Sequence, residues 1–269
     1  MYRPDPACAP APAPALIADL EEEEMLSASV SVCFPAYNEE ATIAGVLREA
    51  HELLSNSGID YEIIVCDDGS KDRTGEIIDQ VAGKLPRVRV LHHERNLGIR
   101  ETFEHLYREA AKEFVFLNST DGQWQTSVLF DLLSMGKDWD IIIAARKKKH
   151  YGLAREIVSR GFNLIPVALF GVRTYDAGAV KLVRREIIER FELVSRSPFT
   201  EAERLIKASR AGYRITEYPV EVSARQAGKA QGVRRDVLKE AILDVARVWW
   251  SLRRKGEKVG PSRDASPLV

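Results

Sequence analysis

The sequence predicts an α/β fold built on a mostly parallel sheet flanked by helices. Short apolar runs alternate with segments of helical periodicity along residues 28–145, a pattern typical of doubly wound parallel sheets. Polar residues cluster where each apolar run ends, and open α/β sheets bind their ligands at that edge. The 269 residues and the apolar content of 45% fit one globular domain with extensions.

Charge and cysteine content narrow the class of protein. The formal net charge is −1, which gives no overall bias towards nucleic acid. Residues 1–27 carry one Arg against six carboxylates, whereas residues 225–258 carry ten Lys and Arg against four carboxylates. Three cysteines without a CxxC pair indicate a reducing compartment. No apolar run reaches the roughly 18–20 residues of a membrane-spanning helix, and no secretory signal is evident, so we expect a cytoplasmic protein.

The first half is predicted to alternate strands and helices. The predicted strands are Val30–Phe34, Tyr61–Cys66, Val88–Leu91, Phe114–Leu117 and 139–145. The predicted helices, from apolar residues at helical spacing, are 40–55, 72–83, 99–112 and 126–136. The absence of GxGxxG after the first strand and of GxxxxGK[ST] anywhere argues against dinucleotide-binding and P-loop folds.

The second half is less regular. We expect a strand within 174–183, helices at 184–191 and 199–211, and strands through 213–224. The expected organisation is a domain at 28–232, disordered tails at 1–27 and 255–269, and a basic amphipathic helix at 233–254. This C-terminal helix either lies in a bilayer interface, as a peripheral membrane contact, or packs its apolar face on the domain.

A polar segment directly follows the apolar run Phe114–Leu117. In extended chain its residues Asp121 and Gln123 point to the same side. Their hard oxygen atoms suit Mg²⁺ or Mn²⁺ bridging a diphosphate. The alternative is an ordinary Asp-Gly turn, and the flanking chain decides between the two interpretations.

Several short motifs follow one another along residues 28–232. They are Phe34–Glu39, Cys66–Ser70, Asn96–Gly98, Arg146, Arg155–Arg160, Asp176–Gly178, Glu203 and Arg225–Lys229. In this order they resemble the GT-A glycosyltransferases of family 2, especially the dolichol- and polyprenol-phosphate mannosyltransferase branch. Any one motif is weak, but the ordered set is specific. The resemblance implies a GT-A fold, Rossmann-like with a mostly parallel sheet, that binds a nucleotide-diphosphate sugar.

The resemblance implies a donor site in the first half. Asp67 or Asp68 would contact the base, although a turn and helix cap would use the same residues. The other positions implied to bind the nucleotide sugar are Pro35, Tyr37, Glu39, Asn96, Ser119, Asp121, Arg225 and Lys229. Tyr37 could instead be a core aromatic residue.

The metal positions implied by the resemblance are Asp121 and Gln123. The sequence departs from the family at one point, because Ser119 stands where the usual Asp-x-Asp has its first Asp. One carboxylate is lost, so we expect weaker metal affinity, while the serine hydroxyl can still hydrogen-bond a ribose or a metal-bound water.

The acceptor side follows the fifth predicted strand. Arg146, Arg155 and Ser159 match the positions that hold an acceptor phosphate in the lipid-phosphate branch. Two arginines and a hydroxyl form a phosphate clamp, and an ionised phosphate needs no general base. A hydroxyl acceptor would need one, for which Glu203 is the candidate and Asp176 the second choice, with Glu201 nearby. The five histidines show no metal-ligand spacing.

The sequence therefore predicts an inverting glycosyltransferase that uses Asp121, Arg146, Arg155 and Glu203 in catalysis. The predicted acceptor is a polyprenyl phosphate at the cytoplasmic membrane face. Two alternatives stay open: a family-2 enzyme with a soluble hydroxyl acceptor, and a nucleotide-sugar-binding protein that lost catalysis with the first metal carboxylate.

Overall fold

A computed structural model describes residues 28–147, 166–172, 178–221 and 235–254. Its strands are β1 Ser29–Ala36, β2 Asp60–Asp67, β3 Val88–His92, β4 Phe114–Leu117, β5 Ile141–Arg146, β6 Lys181–Arg184 and β7 Ile215–Val220. Its helices are α1 Ile43–Ser55, α2 Thr74–Ala82, α3 Ile99–Glu109, α4 Val128–Ser134, α5 Arg185–Arg190, α6 Thr200–Arg210 and α7 Arg235–Arg254. Residues 166–170 are also helical.

The strands form one seven-stranded sheet in the order β3-β2-β1-β4-β6-β5-β7. All neighbouring pairs are parallel except those of β6, which runs antiparallel to both β4 and β5. The predicted mostly parallel α/β sheet is confirmed. The sequence did not reveal that a reversed strand separates β4 from β5, because a strand's direction depends on the connection that precedes it.

Helices cover both faces of the sheet, as alternation of side chains along the strands requires. On one face Val32 and Phe34 of β1 pack with Ile43 and Leu47 of α1. On the other face Cys33 and the second strand pack with Leu106 of α3. Each buried aliphatic side chain stabilises the fold by about 1.5–3 kcal/mol.

Two of the three cysteines are core residues. Cys33 and Cys66 are free thiols and fully buried. Desolvation by burial, helped by the Asp68 and Asp67 carboxylates, raises the pKa of the Cys66 thiol to about 12. Cys8 lies outside the described residues.

The ends of two helices differ from the prediction for local reasons. Helix α1 begins at Ile43 rather than at residue 40, because the Glu39 carbonyl accepts the N–H groups of Thr42 and Ile43 in a turn. Helix α3 ends at Glu109 rather than at residue 112, because Ala110 has extended backbone angles. The predicted tails, 1–27 and 255–269, lie outside the described residues.

A buried ionic network joins α6 to the sheet. Glu201 accepts hydrogen bonds from Lys181 Nζ at 2.7 Å and from the Tyr107 hydroxyl at 3.2 Å. The fully buried Arg204 guanidinium lies over the Tyr107 ring and pairs with Glu104. Burial alone would raise the pKa of Glu201, but Lys181 and Arg204 outweigh it and hold that pKa below its ordinary value. The Glu201 carboxylate is therefore charged at neutral pH, and its contacts fix α6 against β6 and α3.

Helix α7 packs on the domain through one face and exposes a second apolar face. Ala241, Val248 and Leu252 are buried in a cluster with residues of α6 and of the helical segment 166–170. Another row of α7, formed by Ile242, Leu243 and Trp250, is more than half exposed. Both interpretations of this helix therefore keep support, because the packing face and the exposed face are different.

Replacing Glu201 by Ala tests how much the domain depends on its buried network. It removes the carboxylate that neutralises Lys181 in the core, so we expect the free energy of unfolding to fall by about 3–5 kcal/mol. The control is Glu189→Ala, which breaks the exposed pair with Arg185 and should cost at most about 0.5 kcal/mol. Urea unfolding followed by circular dichroism measures both, and equal losses would contradict the expectation.

Candidate active site

The loops that follow β1, β2 and β4 meet at one edge of the sheet. The Asp68 N–H donates to the Ala36 carbonyl at 2.8 Å, and the Thr120 hydroxyl donates to the Pro35 carbonyl at 2.9 Å. On the far side of β2, the His93 N–H donates to the Asp67 carbonyl at 2.9 Å. Parallel pairing thus brings together the loops that carry the residues predicted to bind the nucleotide sugar in the first half of the chain.

The loop after β1 is tied to the loop after β2 by side-chain hydrogen bonds. Asn38, in the left-handed region with φ 55°, receives a 2.8 Å bond from the Lys71 N–H on its side-chain oxygen and donates its own N–H to Ser70 Oγ at 3.0 Å. The Glu39 N–H donates to Thr74 Oγ1 at 2.8 Å. Tyr37 directly precedes Asn38 and is half-buried rather than a core residue.

The two aspartates after β2 have different surroundings. Asp68 accepts four hydrogen bonds of 2.8–2.9 Å, from His93 Nδ1, Asn96 Nδ2 and the N–H groups of Leu97 and Gly98. These bonds use the carboxylate to organise the β3–α3 loop. Of the two predicted base contacts, the geometry therefore favours Asp67 over Asp68.

Asp67 is held by the Ser70 N–H at 3.1 Å and faces His92 Nδ1 at 3.4 Å. The other nitrogen of His92 lies 3.0 Å from Asp79. Desolvation alone would lower the pKa of His92, but the Asp79 and Asp67 carboxylates raise it above its ordinary value. Sequence reasoning missed this histidine, although the parallel register that pairs it with Asp67 is the signal that would have found it.

Gly69 allows the β2–α2 and β3–α3 loops to touch. Its φ is +63°, and a Cβ atom there would lie 2.4 Å from the backbone carbon of Arg95 and 2.6 Å from the nitrogen of Asn96. A side chain of any size is excluded at this position. The close approach is what brings Asn96 within reach of Asp68.

The predicted metal residues lie in the loop after β4. Asp121 is buried, and its Oδ1 accepts hydrogen bonds from Ser119 Oγ at 2.7 Å and from the Gln123 N–H at 3.1 Å. Gly122 takes φ 70° to make the turn. Ser119, which replaces the family's first acid, thus acts as a donor to the remaining carboxylate. The hard oxygen atoms of Asp121 and Gln123 fit a divalent cation of the Mg²⁺ or Mn²⁺ type.

Arg146 ends β5 beside this loop. Its guanidinium carbon lies 5.2 Å from the centroid of the Trp124 ring, in cation–π geometry. Trp124 is buried three residues after Asp121. The tryptophan was not singled out from the sequence as a site residue, yet its ring contacts the arginine that was predicted to bind the acceptor phosphate.

Glu203 is wholly buried and holds a loop rather than facing the site. Its oxygens accept the N–H groups of Val194 and Ser195 at 2.8–3.0 Å and pair with Lys207 at 2.7 Å. A carboxylate saturated in this way is a poor general base, so the geometry speaks against the predicted catalytic role. Glu201 is engaged in the buried ionic network and offers no replacement.

Several predicted site residues lie outside the described residues. They are Arg155, Ser159, Asp176, Arg225 and Lys229. Their roles remain predictions.

The histidines show no metal-ligand spacing in the sequence, yet two of them lie close to a cysteine in the fold. Cys66, His93 and His105 bring one ligand atom each to within 4.8 Å of one another. Burial and the neighbouring His93 lower the pKa of His105 below its ordinary value. The three residues are far apart in sequence, so no spacing rule could have grouped them.

Comparison with known proteins identifies the family. The model of glycosyl transferase family 2 matches residues 31–191, which is more than half of the chain. The protein belongs to glycosyl transferase family 2. The family-2 resemblance that the ordered motifs gave is therefore confirmed, and with it the assignment as a glycosyltransferase.

Named relatives of this family-2 chain include lipid-phosphate transferases. It is 31% identical over 241 residues to the glycosyltransferase AglD of Haloferax volcanii, covering 83% of this chain and 37% of that protein. It is 24% identical over 245 residues to undecaprenyl-phosphate mannosyltransferase of Micrococcus luteus, covering 85% of this chain and 96% of that protein. The chain thus spans little more than a third of the first relative and nearly all of the second.

A solved structure shares the fold of this family-2 chain. Glucosyl-3-phosphoglycerate synthase of Mycobacterium tuberculosis, in complex with Mn²⁺, UDP-glucose and phosphoglyceric acid, superposes with a TM-score of 0.64. The identity is 17%, over 84% of this chain and 82% of the other. At that identity the likeness concerns the fold alone.

Replacing Glu203 by Gln separates a structural role from a catalytic one. The change should lower the free energy of unfolding by at least about 1.5–3 kcal/mol, the value of a hydrogen bond to a charged group. Turnover per folded molecule should stay within about threefold, because the carboxylate holds a loop and does not take part in the reaction. A threefold change corresponds to well under the roughly 1.4 kcal/mol that a tenfold change in rate requires. Urea unfolding and active-site-normalised kinetics measure the two effects. Full stability with turnover lost would restore Glu203 as the base.

Proposed function

We propose that this family-2 enzyme inverts the configuration of a sugar while moving it from a nucleotide-diphosphate donor to a polyprenyl phosphate. The observation that carries the proposal is the contact of Arg146 with Trp124, three residues after Asp121. The loop of Asp121 is proposed to face the donor diphosphate. This contact brings beside it a guanidinium that is suited to bind an acceptor phosphate. The similarity to undecaprenyl-phosphate mannosyltransferase supports the same acceptor class.

The donor half of the site is proposed to hold the nucleotide between the loops after β1 and β2. Tyr37 and Glu39 would contact the nucleoside from one side, and Asp67 would contact the base edge from the other. Asp68 and Asn96 would act indirectly by fixing the β3–α3 loop. The proposed diphosphate partners Arg225 and Lys229 come from the chain that follows β7.

Asp121 and Gln123 are proposed to hold the Mg²⁺ or Mn²⁺ ion. When bound, such an ion neutralises charge on the diphosphate leaving group. Mn²⁺ or Mg²⁺ accompanies UDP in complexes of glucosyl-3-phosphoglycerate synthase. With Ser119 in place of a carboxylate, the protein supplies only a few ligands, and nucleotide oxygens and water would complete the shell.

The metal role can be tested at Asp121. Asp121→Asn removes the carboxylate from the loop, so we expect kcat/KM to fall more than about 100-fold, beyond the 10–100-fold effect typical of outer-shell changes. Ser119→Ala removes only a hydrogen bond to that carboxylate and should cost less than about tenfold. Ser119→Asp restores the family acid and should tighten Mn²⁺ binding measured by calorimetry.

Removal of the metal with EDTA is a second test of the role proposed for Asp121 and Gln123. We expect EDTA to abolish transfer. In titrations without EDTA, Mg²⁺ or Mn²⁺ affinity should be measurable only when nucleotide is bound. Full activity in EDTA would contradict the metal role and point to Arg225 and Lys229 as the counter-charge. Nucleotide binding without any transfer or sugar-nucleotide hydrolysis would support the non-catalytic alternative.

The proposed reaction needs no general base on the protein. A phosphate monoester, with its second pKa near 6, is largely ionised at neutral pH. One of its oxygens attacks the anomeric carbon while the bond from that carbon to the diphosphate oxygen breaks, and nucleoside diphosphate leaves. Arg146, with Arg155 and Ser159, would hold the nucleophile in line. The structural role of Glu203 is consistent with a reaction of this kind.

Arg146 tests the acceptor assignment. Arg146→Ala should raise the activation free energy for transfer to polyprenyl phosphate by about 1.5–3 kcal/mol, the value of one charge-assisted contact. This rise is measured as a fall in kcat/KM, while nucleoside diphosphate affinity stays unchanged. Arg146→Lys should restore little, because lysine lacks the planar fork that stacks on Trp124 and grips phosphate. The matched control is Lys147→Ala, an exposed neighbour paired with Glu221, which should lose less than about twofold.

A panel of acceptors decides between the two enzymatic proposals. The second candidate, transfer to a soluble acceptor, is favoured by the fold likeness to an enzyme solved with phosphoglyceric acid. We expect transfer to a short polyprenyl phosphate and none to phosphoglycerate or to sugar hydroxyls. Transfer to a soluble acceptor that Arg146→Ala leaves intact would contradict the lipid-phosphate proposal.

A peripheral position at the cytoplasmic membrane face is the proposed location. The exposed row of α7, Ile242, Leu243 and Trp250, is bordered by exposed Lys239 and Arg253, a combination suited to an anionic bilayer interface. The helical segment 166–170, whose Phe170 belongs to the cluster that buries the other face of α7, also exposes Val167 and Leu169. Among the helices that the structure describes, none combines the length and apolar character needed to cross a bilayer.

A further inference from the structure

Three potential metal ligands converge between the sheet and α3, away from the loop of Asp121. Cys66 lies near the end of β2, His93 directly follows β3, and His105 is on α3. The parallel register pairs Cys66 with Leu91, and side chains alternate along a strand. His93 therefore lies on the same face of the sheet as Cys66, which is the face that α3 covers.

The ligand atoms are spaced nearly as a tetrahedral ion requires. Cys66 Sγ lies 3.7 Å from His93 Nε2, and that nitrogen lies 2.9 Å from His105 Nδ1. Zinc bonds of about 2.0–2.1 Å to nitrogen and about 2.3 Å to sulfur imply separations of about 3.4 Å between two nitrogens and about 3.6 Å between nitrogen and sulfur. The thiol already fits, and the imidazoles need to part by about 0.5 Å.

The two imidazoles meet edge to edge. Their planes are 9° apart and their centroids 5.1 Å apart, while the nitrogen atoms of His93 and His105 approach to 2.9 Å. Parallel stacked rings cannot bring two atoms this close, so the contact is a hydrogen bond between ring edges. The two nitrogens therefore point at each other, and a rotation of the partly exposed His105 would separate them and open room for an ion.

Asp68 prepares His93 as a ligand. A carboxylate only accepts hydrogen bonds, so the 2.8 Å contact with Asp68 Oδ1 places the proton on His93 Nδ1. The lone pair is then on Nε2, the atom that faces Cys66. A carboxylate behind a ligating histidine, fixing its tautomer and orientation, is the usual outer shell of zinc sites in proteins.

We propose that Cys66, His93 and His105 bind a soft divalent cation of the Zn²⁺ type, separate from the ion proposed at Asp121. One thiolate and two imidazoles suit zinc and disfavour Mg²⁺ and Mn²⁺, which take oxygen ligands. A fourth position, open to solvent beside His105, would take water.

The proposed ion would join three elements that carry the nucleotide side of the site. It ties β2, the residue after β3, and α3 together, and Asp68 extends the connection to the N–H groups of Leu97 and Gly98 at the start of α3. Binding of the ion should therefore stiffen the β3–α3 loop. The site concerns structure and metal content, so it stands even if the acceptor proposed above is wrong.

Cobalt and zinc titrations of the full chain test the proposal. We expect one Zn²⁺ per chain in competition with a chromophoric chelator, and Co²⁺ should give a thiolate-to-metal charge-transfer band. His105→Ala and Cys66→Ala should each weaken Zn²⁺ binding more than about 100-fold, beyond the 10–100-fold effect of an outer-shell change. The matched control is His51→Ala, a histidine on α1 that contacts Tyr61, which should bind as the unaltered protein does.

The outcomes are distinguishable even if one variant folds poorly. Cys66 is buried, whereas His105 is partly exposed on a helix, so His105→Ala with an unchanged circular dichroism spectrum carries the test alone. A zinc-dependent rise in melting temperature, absent in His105→Ala, would support the site. No zinc binding, equal binding by all variants, or a cobalt spectrum without a thiolate band would overturn it.

Discussion

Parallel pairing of β1 with β2 on one side and β4 on the other is the constraint on which the site depends. The register sets Ala36 opposite Asp67 and Cys33 opposite Leu117, so the chain leaves all three strands at one edge. Backbone hydrogen bonds then hold the loops that carry Tyr37, Asp67 and Asp121 in a fixed relation. The geometry of the site is therefore a property of the sheet, and side chains adjust it only locally.

Much of this arrangement could be predicted from the sequence. Strands buried on both faces are continuous apolar runs, and for this reason β4 was predicted with the bounds that the structure has. Polar residues directly after such runs must lie at the sheet edge, which placed the segment of Asp121 there, whereas Asp67 and Arg146 were identified through the family resemblance. Family-2 membership followed from the same motifs because their order reflects the order of the strands.

The remaining features depend on contacts that a sequence does not display. Glu203 has the same chemistry whether it is a base or a loop anchor, and the sequence does not display the Val194 and Ser195 N–H groups that its carboxylate accepts. The cluster of Cys66, His93 and His105 forms only after β2 and β3 pair and α3 folds back. The place of β6 depends on a long connection whose path the local pattern leaves open.

The contact at Gly69 has a consequence for how the protein can change. With no room for a Cβ atom between this residue and Arg95, the β2–α2 and β3–α3 loops form a single rigid wall. Insertions or bulky replacements in either loop would push both apart. Side-chain replacements that leave these contacts intact are therefore better tolerated here than changes in the length of either loop.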